Sequence, residues 1–203
     1  MPQFTKQAIV QSFLKIAEKR PIGKITVRDI VDDCGVNRNT FYYYFTDVYA
    51  LIEEILTNEM LVTEPDGNDS KYLTDVFTQT ILFMLAHKPA ILNIYRSVGR
   101  ETLERMTHRN AYSIFTKYID SKLAERHEMD AYDRDLIIKF FMHAVTGVLF
   151  DWIADGMKDD PALLMRRLRI IMTGTANLAI DNAITRPIDG SLPSEEGAEN
   201  EKN

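Results

Sequence analysis

The sequence has too little cysteine for a disulfide-stabilised protein and no long uninterrupted apolar run. Its 203 residues include a single cysteine, Cys34, which excludes an internal disulfide or a cysteine-based metal cluster. The most apolar stretch, residues 136–150, is interrupted by Lys139 and His143, so we expect no span of the ~18 apolar residues that a bilayer requires. The first residues lack the apolar segment of a secretion signal. These absences predict a cytoplasmic protein without membrane contact.

Basic residues are also scarce, 24 against 30 acidic ones, and the formal net charge is -6. This acidity argues against a protein that is coated with nucleic acid over its whole surface. The first 45 residues are the exception, with seven basic and four acidic side chains. They leave room for nucleic-acid binding by a local surface.

Motifs of catalysis and metal binding are missing from the sequence. We find no glycine-rich phosphate loop, no HExxH motif and no nucleophile elbow. The four histidines, at positions 87, 108, 127 and 143, are scattered and lack the spacing of a metal site. We therefore expect no enzyme, no cofactor and no bound metal.

Helical periodicity is what the sequence has in abundance. Apolar residues at positions 48, 51, 52, 55 and 56 follow the pattern of one helix face, and no segment alternates as a half-buried strand does. The predicted fold class is all-α, with an N-terminal three-helix helix-turn-helix domain followed by a C-terminal helical domain. Beyond the first sixty residues, helices are expected near 71–87, 89–98, 101–126, 132–156 and 161–184.

Segments rich in turn-forming residues predict the domain boundaries. Residues 64–70, EPDGNDS, are typical of a linker, and residues 186–203 combine Pro, Gly and Ser with acidic residues, as a disordered tail does. The expected organisation is a helix-turn-helix domain at 1–47, a connecting helix at 48–64, a C-terminal helical domain at 65–185, and an acidic tail at 186–203.

Two short helices near the amino end are predicted from their capping residues. Thr26 followed by Asp29 is a variant of the capping box, and Gly35 suits the left-handed turn that closes a helix. Asn37 can cap the next helix, over residues 38–45. Two short helices joined by a tight glycine turn form a helix-turn-helix.

The second short helix has a face that is unusual for contact with solvent alone. Phe41, Tyr44 and Phe45 fall on one arc and are expected to face inward, whereas Asn39 and Tyr43 fall on the opposite arc. Asn and Arg side chains read base edges, and Thr and Tyr hydroxyls reach phosphates. This face predicts contact with a DNA groove, although any one tyrosine of 42–44 could instead belong to the core or to an interface.

The run from Thr26 to Asp47, TVRDIVDDCGVNRNTFYYYFTD, resembles the helix-turn-helix of the TetR/AcrR family of bacterial transcription regulators. The resemblance covers about residues 5–60, and its hallmark is a Gly-Val step followed by Thr-Phe-Tyr-x-x-Phe. It implies a homodimer that binds double-stranded operator DNA, with repression expected over activation. The DNA-contacting residues implied by the resemblance are Thr26, Arg28, Asn37, Arg38, Asn39, Thr40, Tyr42, Tyr43 and Tyr44.

One position departs from the family pattern. The family usually carries a lysine at the start of the fourth helix, where this chain has Val48 after Asp47. Loss of one phosphate contact weakens DNA binding and reduces its salt dependence by about one unit. The alternative function is therefore a TetR-like co-regulator that acts mainly through a protein partner.

The last two predicted helices carry more apolar surface than one small bundle covers. Two such pairs from two chains would form a four-helix dimer interface, which is also where the resemblance places dimerisation. The alternative is that these faces belong to the core of one chain. The expected interface residues are Phe140, Ala144, Gly147, Val148, Leu164, Leu168, Ile171, Met172, Thr175 and Leu178.

The middle helices combine aromatic side chains with a few polar tips, which suits a small apolar or aromatic effector, although these residues could equally be ordinary core. The stretch 140–156 is similar to the C-terminal domain of the dihydroxyacetone-kinase-regulator subgroup of the family, which does not identify a metabolite. The candidate pocket residues are Phe83, His87, Tyr95, Tyr112, Phe115, Phe141, His143 and Trp152.

Overall fold

The structure is a computed structural model that describes residues 2–59, 69–124 and 129–185, and every regular element in these ranges is helical. This confirms the all-α prediction. The α-helices are α1 Pro2–Ala17, α2 Val27–Cys34, α3 Arg38–Tyr44, α4 Val48–Glu54, α5 Asp69–Ala86, α6 Lys88–Val98, α7 Arg100–Leu123, α8 Ala131–Ala154, α9 Pro161–Met172 and α10 Thr175–Thr185. A 3-10 turn covers Ile22–Lys24, and a π-helical segment, Ile55–Glu59, continues α4.

The helices α1 to α4 are built around fully buried side chains. Ile9 and Phe13 of α1 meet Ile30 of α2, Phe41 of α3 and Leu51 of α4 in one apolar cluster. Burying a side chain of this size stabilises the fold by about 1.5–3 kcal/mol. The core thereby fixes the orientation of the two short helices.

This first core continues into the rest of the chain without interruption. It includes Ile91 and Ile94 of α6 and Trp152 of α8. The Asn93 amide donates a hydrogen bond to the Ala17 carbonyl oxygen, 2.8 Å away, at the end of α1. The amino-terminal helices are therefore packed firmly against α6.

A second core lies between α5, α7, α8 and α10. Phe115 and Ile119 of α7 pack with Ile138 of α8 and Ile180 of α10. Ion pairs join α7 and α8 at both ends. They connect Arg100 with Asp151, at 2.5 Å, and Arg134 with Asp120, at 2.6 Å.

The structure corrects the expectation of a single helix over 161–184. The chain leaves helical geometry after Met172, Thr173 is extended, and Gly174 has a φ of 78°. The helix α10 then begins at Thr175. The predicted linker 64–70 is partly helical, since α5 already begins at Asp69, and residues 64–68 lie outside the described residues. The predicted tail, 186–203, also lies outside them, and the domain boundaries stay a prediction.

Within the described ranges, α8 is the one helix long and apolar enough to cross a membrane by length and composition. The expectation that no stretch reaches bilayer length is therefore wrong, because the helix continues through Lys139 and His143. A core helix passes the same test, and 44% of the apolar window is buried inside the protein. The side chains of Ile138, Phe141 and Val145 supply much of the second core.

Candidate nucleic-acid interface and ligand cavity

The helix α2 begins with the predicted capping box. The Thr26 hydroxyl accepts a hydrogen bond from the Asp29 backbone N–H at 3.2 Å, and the Asp29 carboxylate accepts one from the Thr26 backbone N–H at 2.8 Å. The carboxylate also accepts bonds from the Thr26 hydroxyl and from Arg20. These bonds, that from the Thr26 side chain first, hold the pKa of Asp29 well below its usual range. The start of α2 thus has a fixed, ionised cap.

A tight turn then sets α3 against α2. Gly35 adopts a left-handed conformation with a φ of 72°, as predicted from its place after Cys34. The Asn37 side-chain oxygen accepts a hydrogen bond from the Thr40 backbone N–H at 2.8 Å and another from the Thr40 hydroxyl at 3.0 Å. The predicted cap is confirmed, and α3 ends one residue earlier than expected, at Tyr44.

One face of α3 is buried and the other is open. Phe41 and Phe45 lie in the first core, and the Phe41 ring meets the Tyr42 ring edge-on at 5.6 Å. On the outer side Asn39 is exposed, and Tyr43 is 80% exposed. The buried phenylalanines therefore hold a polar, aromatic surface toward the outside of the molecule.

The structure places the predicted DNA-contacting residues on or beside this surface, and their contact with DNA stays a prediction. Arg28 also lies 3.3 Å from Asp32 in an exposed ion pair. The exposed residues are Thr26, Arg28, Asn37, Arg38, Asn39, Tyr42 and Tyr43, and the half-buried ones are Thr40 and Tyr44.

Val48, the departure from the family pattern, is used for packing. Asp47 caps α4 by accepting a hydrogen bond from the Ala50 backbone N–H at 2.8 Å. Val48 is half-buried and packs against the first core. An apolar side chain thus takes the place of a cation at the start of α4.

An apolar cavity of about 110 Å³ lies between α5, α6, α7 and α8, and Leu56 of the π-helical segment contributes to its wall. Two of the predicted pocket residues, Tyr95 and Phe115, line it. The sequence analysis missed Leu56 and the polar members of the wall, among them Thr107 and Asn110. Threonine and asparagine within a polar helix give no signal that distinguishes a cavity wall from a solvated face.

The other predicted pocket residues lie elsewhere. Phe83 packs against the His87 ring at 4.8 Å, and Phe141 and Trp152 are buried in the two cores. These positions do not support the prediction that Phe83, His87, Phe141 and Trp152 contact an effector.

Tyr112 and His143, also predicted for the pocket, face the groove between α7 and α8. The Tyr112 hydroxyl donates to the Asp135 carboxylate at 2.6 Å, and this bond raises the pKa of Tyr112. His143 lines an open cleft there, with its ring centre 6.0 Å from that of His108. Among the described residues, no group of three or more His, Cys, Asp or Glu side chains could hold a metal ion.

Six of the ten predicted interface residues, on α8, α9 and α10, are exposed. Phe140, Ile171 and Leu178 are 66%, 64% and 61% exposed. Val148, Ala144 and Thr175 are also exposed, and Gly147, Leu164, Leu168 and Met172 are half-buried. Tyr132 and Leu136, which the sequence analysis did not include, are exposed about two turns and one turn before Phe140. The chain's own cores therefore leave the exposed residues of this set uncovered, whereas Leu164 packs against the first core and Met172 against the second.

Two family models match the chain. Residues 9–55 match the model described as bacterial regulatory proteins, tetR family, and residues 71–174 match the model described as transcriptional regulator C-terminal region. A comparison with curated protein sequences finds no match.

Several solved structures share this fold. The dihydroxyacetone kinase operon activator DhaS has 16% identity and a TM-score of 0.62, with 89% of this chain and 97% of that chain covered. A tetR-family transcriptional regulator from Streptomyces coelicolor has 17% identity and a TM-score of 0.52, with 91% and 93% covered. NalD of Pseudomonas aeruginosa, the secondary repressor of the MexAB-OprM multidrug efflux pump, has 16% identity and a TM-score of 0.51, with 91% and 97% covered.

Proposed function

Since the chain belongs to the TetR family of bacterial regulatory proteins, we propose that it is a homodimer that binds operator DNA through α3 and is controlled by a small molecule in its C-terminal region. The observation that carries this proposal is the outer face of α3. Its exposed Arg38, Asn39 and Tyr43 stand on a helix anchored by the fully buried Phe41. Such side chains, held rigidly, fit the base edges and phosphates of a major groove.

Dimerisation is supported by the exposed apolar surface of α8 and α10. Tyr132, Leu136, Phe140, Ala144 and Val148 recur every four residues, so each lies beside the next in a stripe that winds along α8. A continuous apolar surface of this kind marks an interface in a protein that remains in solution. A second copy paired on this surface would supply the second α3 helix that a palindromic site requires, since DNA half-sites lie about 34 Å apart.

Control by a ligand is supported by the wall of the cavity. Leu56 belongs to the segment that continues α4, and the next residue, Thr57, accepts a hydrogen bond through its carbonyl oxygen from the Asn110 amide at 2.6 Å. A molecule in the cavity would therefore contact the helix that leads to the DNA-binding surface. It would change DNA affinity only if it binds one arrangement of the two surfaces better than another.

We further propose that the protein represses transcription, lies in the cytoplasm and is not an enzyme. Among the similar solved structures, NalD is described as a repressor and DhaS as an activator, so they favour neither direction of control. The proposal of repression therefore rests on the family resemblance alone. A second candidate, a co-regulator that depends on a protein partner, is favoured by Val48 and by the net charge of -6. Both features reduce attraction to phosphates.

The test is DNA binding by the purified chain alone. Duplexes selected from a random library should yield a palindromic site, and fluorescence anisotropy should show an affinity that falls as salt rises. Binding that requires a second protein would favour the co-regulator instead.

Arg38→Ala should weaken binding to the selected site by about 1–3 kcal/mol if the guanidinium reads a base. Arg109→Ala removes the same charge from an exposed position on α7 and should leave the affinity nearly unchanged. Equal losses in the two variants at one salt concentration would remove Arg38 from the residues that read DNA.

A further inference from the structure

The chemistry of the cavity wall identifies a class of ligand, in an inference that rests on the proposed regulatory function. We propose that the cavity between α5, α6, α7 and α8 takes a neutral, mainly apolar molecule of about six to eight non-hydrogen atoms. Its single hydroxyl group would donate a hydrogen bond to Thr107 or Thr146. The volume of about 110 Å³ is somewhat smaller than that of an engineered cavity that accepts benzene, about 150 Å³.

The wall excludes ionised ligands. Apolar side chains such as Val76, Phe77, Met84 and Leu103 make up most of it, and none of the lining residues is Asp, Glu, Lys, Arg or His. An ionised ligand would lose its hydration here without a counter-charge. That loss costs far more than one hydrogen bond returns.

The polar groups on the α7 and α8 side of the wall are ready to accept hydrogen bonds. The Thr107 hydroxyl already donates to the Leu103 carbonyl oxygen at 2.9 Å, and the Thr146 hydroxyl donates to the Met142 carbonyl oxygen at 2.7 Å. Each hydroxyl has one proton, so the lone pairs that remain on its oxygen can only accept. A ligand hydroxyl can donate a hydrogen bond to these two oxygens, whereas a ligand with only a carbonyl oxygen cannot.

A polyol is disfavoured by the same wall. One N–H of the Asn110 amide bonds to the Thr57 carbonyl oxygen. The remaining polar side chains of the wall are those of Thr80 and Tyr95. The other lining residues are apolar, so a polyol would find few partners for its additional hydroxyl groups.

Cationic side chains are close but belong to the neighbouring open cleft. Arg100, Arg105 and Arg109 line that cleft together with Glu101 and Glu104. The cleft shares Thr107 and Thr146 with the cavity. An anion that bound this protein would be attracted to the cleft rather than to the cavity. A charged probe therefore distinguishes the two locations.

Calorimetric titration of the full chain with four probes tests the ligand class. Cyclohexanol should bind roughly threefold to tenfold more tightly than cyclohexanone, which has nearly the same size but cannot donate. Glycerol should not bind at comparable concentrations, and any binding of cyclohexanecarboxylate should be unchanged in Ile114→Phe, because it would take place in the cleft. Tighter binding of the ketone, binding of the carboxylate that Ile114→Phe abolishes, or no binding of cyclohexanol would overturn the proposal.

Variants of the wall test the assigned contacts. In the double variant Thr107→Val and Thr146→Val, the affinity for cyclohexanol should fall to that for cyclohexanone, which itself should not change. Thr78→Val is the matched control, because the Thr78 hydroxyl also bonds to its own helix, at the Thr74 carbonyl oxygen, but lies outside the cavity. Retained preference for the alcohol in the double variant would contradict these contacts.

Ile114→Phe tests the location, since Ile114 is half-buried in the wall and a larger ring would fill the space. The melting temperature of the Ile114→Phe variant shows whether this protein folds. If it does not fold, the threonine variants alone test whether the ligand binds in the cavity. A folded Ile114→Phe protein that still binds cyclohexanol with unchanged affinity would place the ligand elsewhere. DNA binding by the free protein is measured separately. The calorimetric affinities therefore test the ligand class even if the ligand has no effect on DNA binding.

Discussion

At the scale of single residues, Asp29 shows how one carboxylate determines where a helix begins. It accepts hydrogen bonds from the Thr26 backbone N–H and hydroxyl and from Arg20, which links the cap to the end of α1. The carboxylate also lies in the first turn of α2, where a negative charge is favourable to the helix dipole. The ionised form of this group therefore stabilises the start of α2.

The substitution Asp29→Asn should lower the melting temperature at neutral pH and have less effect in acid. The pKa of Asp29 is lower in the folded chain than the value of about 3.9 expected when unfolded. Its ionised form therefore stabilises the fold above about pH 4, and this contribution is lost as the pH falls toward the folded-state pKa. Thermal melts at pH 7 and about pH 2.5 measure the difference from the native chain.

Asp32→Asn is the control for this substitution, because Asp32 lies on the same helix in an exposed pair with Arg28. It should change the melting temperature little at either pH. A deficit for Asp29→Asn that stays constant from pH 7 to acid would show that the carboxylate charge does not matter.

At this scale, the sequence predicts contacts between residues that are close together in the chain better than contacts between distant residues. The caps at Thr26 and Asn37 were predictable because each bond joins residues only three positions apart. The cavity was not, because its wall depends on where four helices cross. Trp152 and Phe141 fill the cores, and Thr107, on a largely polar helix, gave no signal of its place in the wall.

At the scale of elements, the turn between α2 and α3 depends on Gly35. Its φ of 72° is costly for any residue with a Cβ atom, although an added Cβ would meet no atom within 4 Å. Gly35→Ala should therefore lower the free energy of unfolding by about 1 kcal/mol through the backbone alone. Denaturant titration measures this change.

The control for the turn is Gly23→Ala. A Cβ at position 23 also meets nothing within 4 Å, and the backbone there does not require a positive φ. This variant should be as stable as the native chain or slightly more so. Equal destabilisation of the two variants would mean that the left-handed conformation of Gly35 is not what the turn requires.

The break between α9 and α10 shows where periodicity fails as a guide. The apolar residues Ile171 and Leu178 keep helical spacing across the break, so the sequence predicts one continuous helix. The chain instead turns at Thr173 and Gly174, which brings Ala176 and Ile180 into the second core. A glycine within an apolar pattern is compatible with a continuous helix or with a break. Here the contacts of α10 with the second core favour the break.

At the scale of the whole molecule, the net negative charge opposes binding to DNA, which is itself negatively charged. Contact is therefore expected through a small local surface. The exposed residues of α3 include one formal cation, Arg38, and the start of α4 has Val48 in place of one. A single copy therefore has little electrostatic attraction to DNA. Two copies held rigidly together would double the contacts within one binding event and raise the affinity well beyond that of one copy.

The substitution Phe140→Glu should therefore have two linked effects. It should convert the protein to monomers, and it should lower the affinity for a palindromic site. Phe140 is exposed at the middle of the apolar surface of α8, so a carboxylate there would be buried without a partner in a dimer, yet solvated in a monomer. Leu82→Glu is the matched control, because Leu82 is exposed on α5, away from this surface. Sedimentation velocity and anisotropy on the same samples measure both effects, and a Phe140→Glu protein that remains dimeric would place the interface on another face.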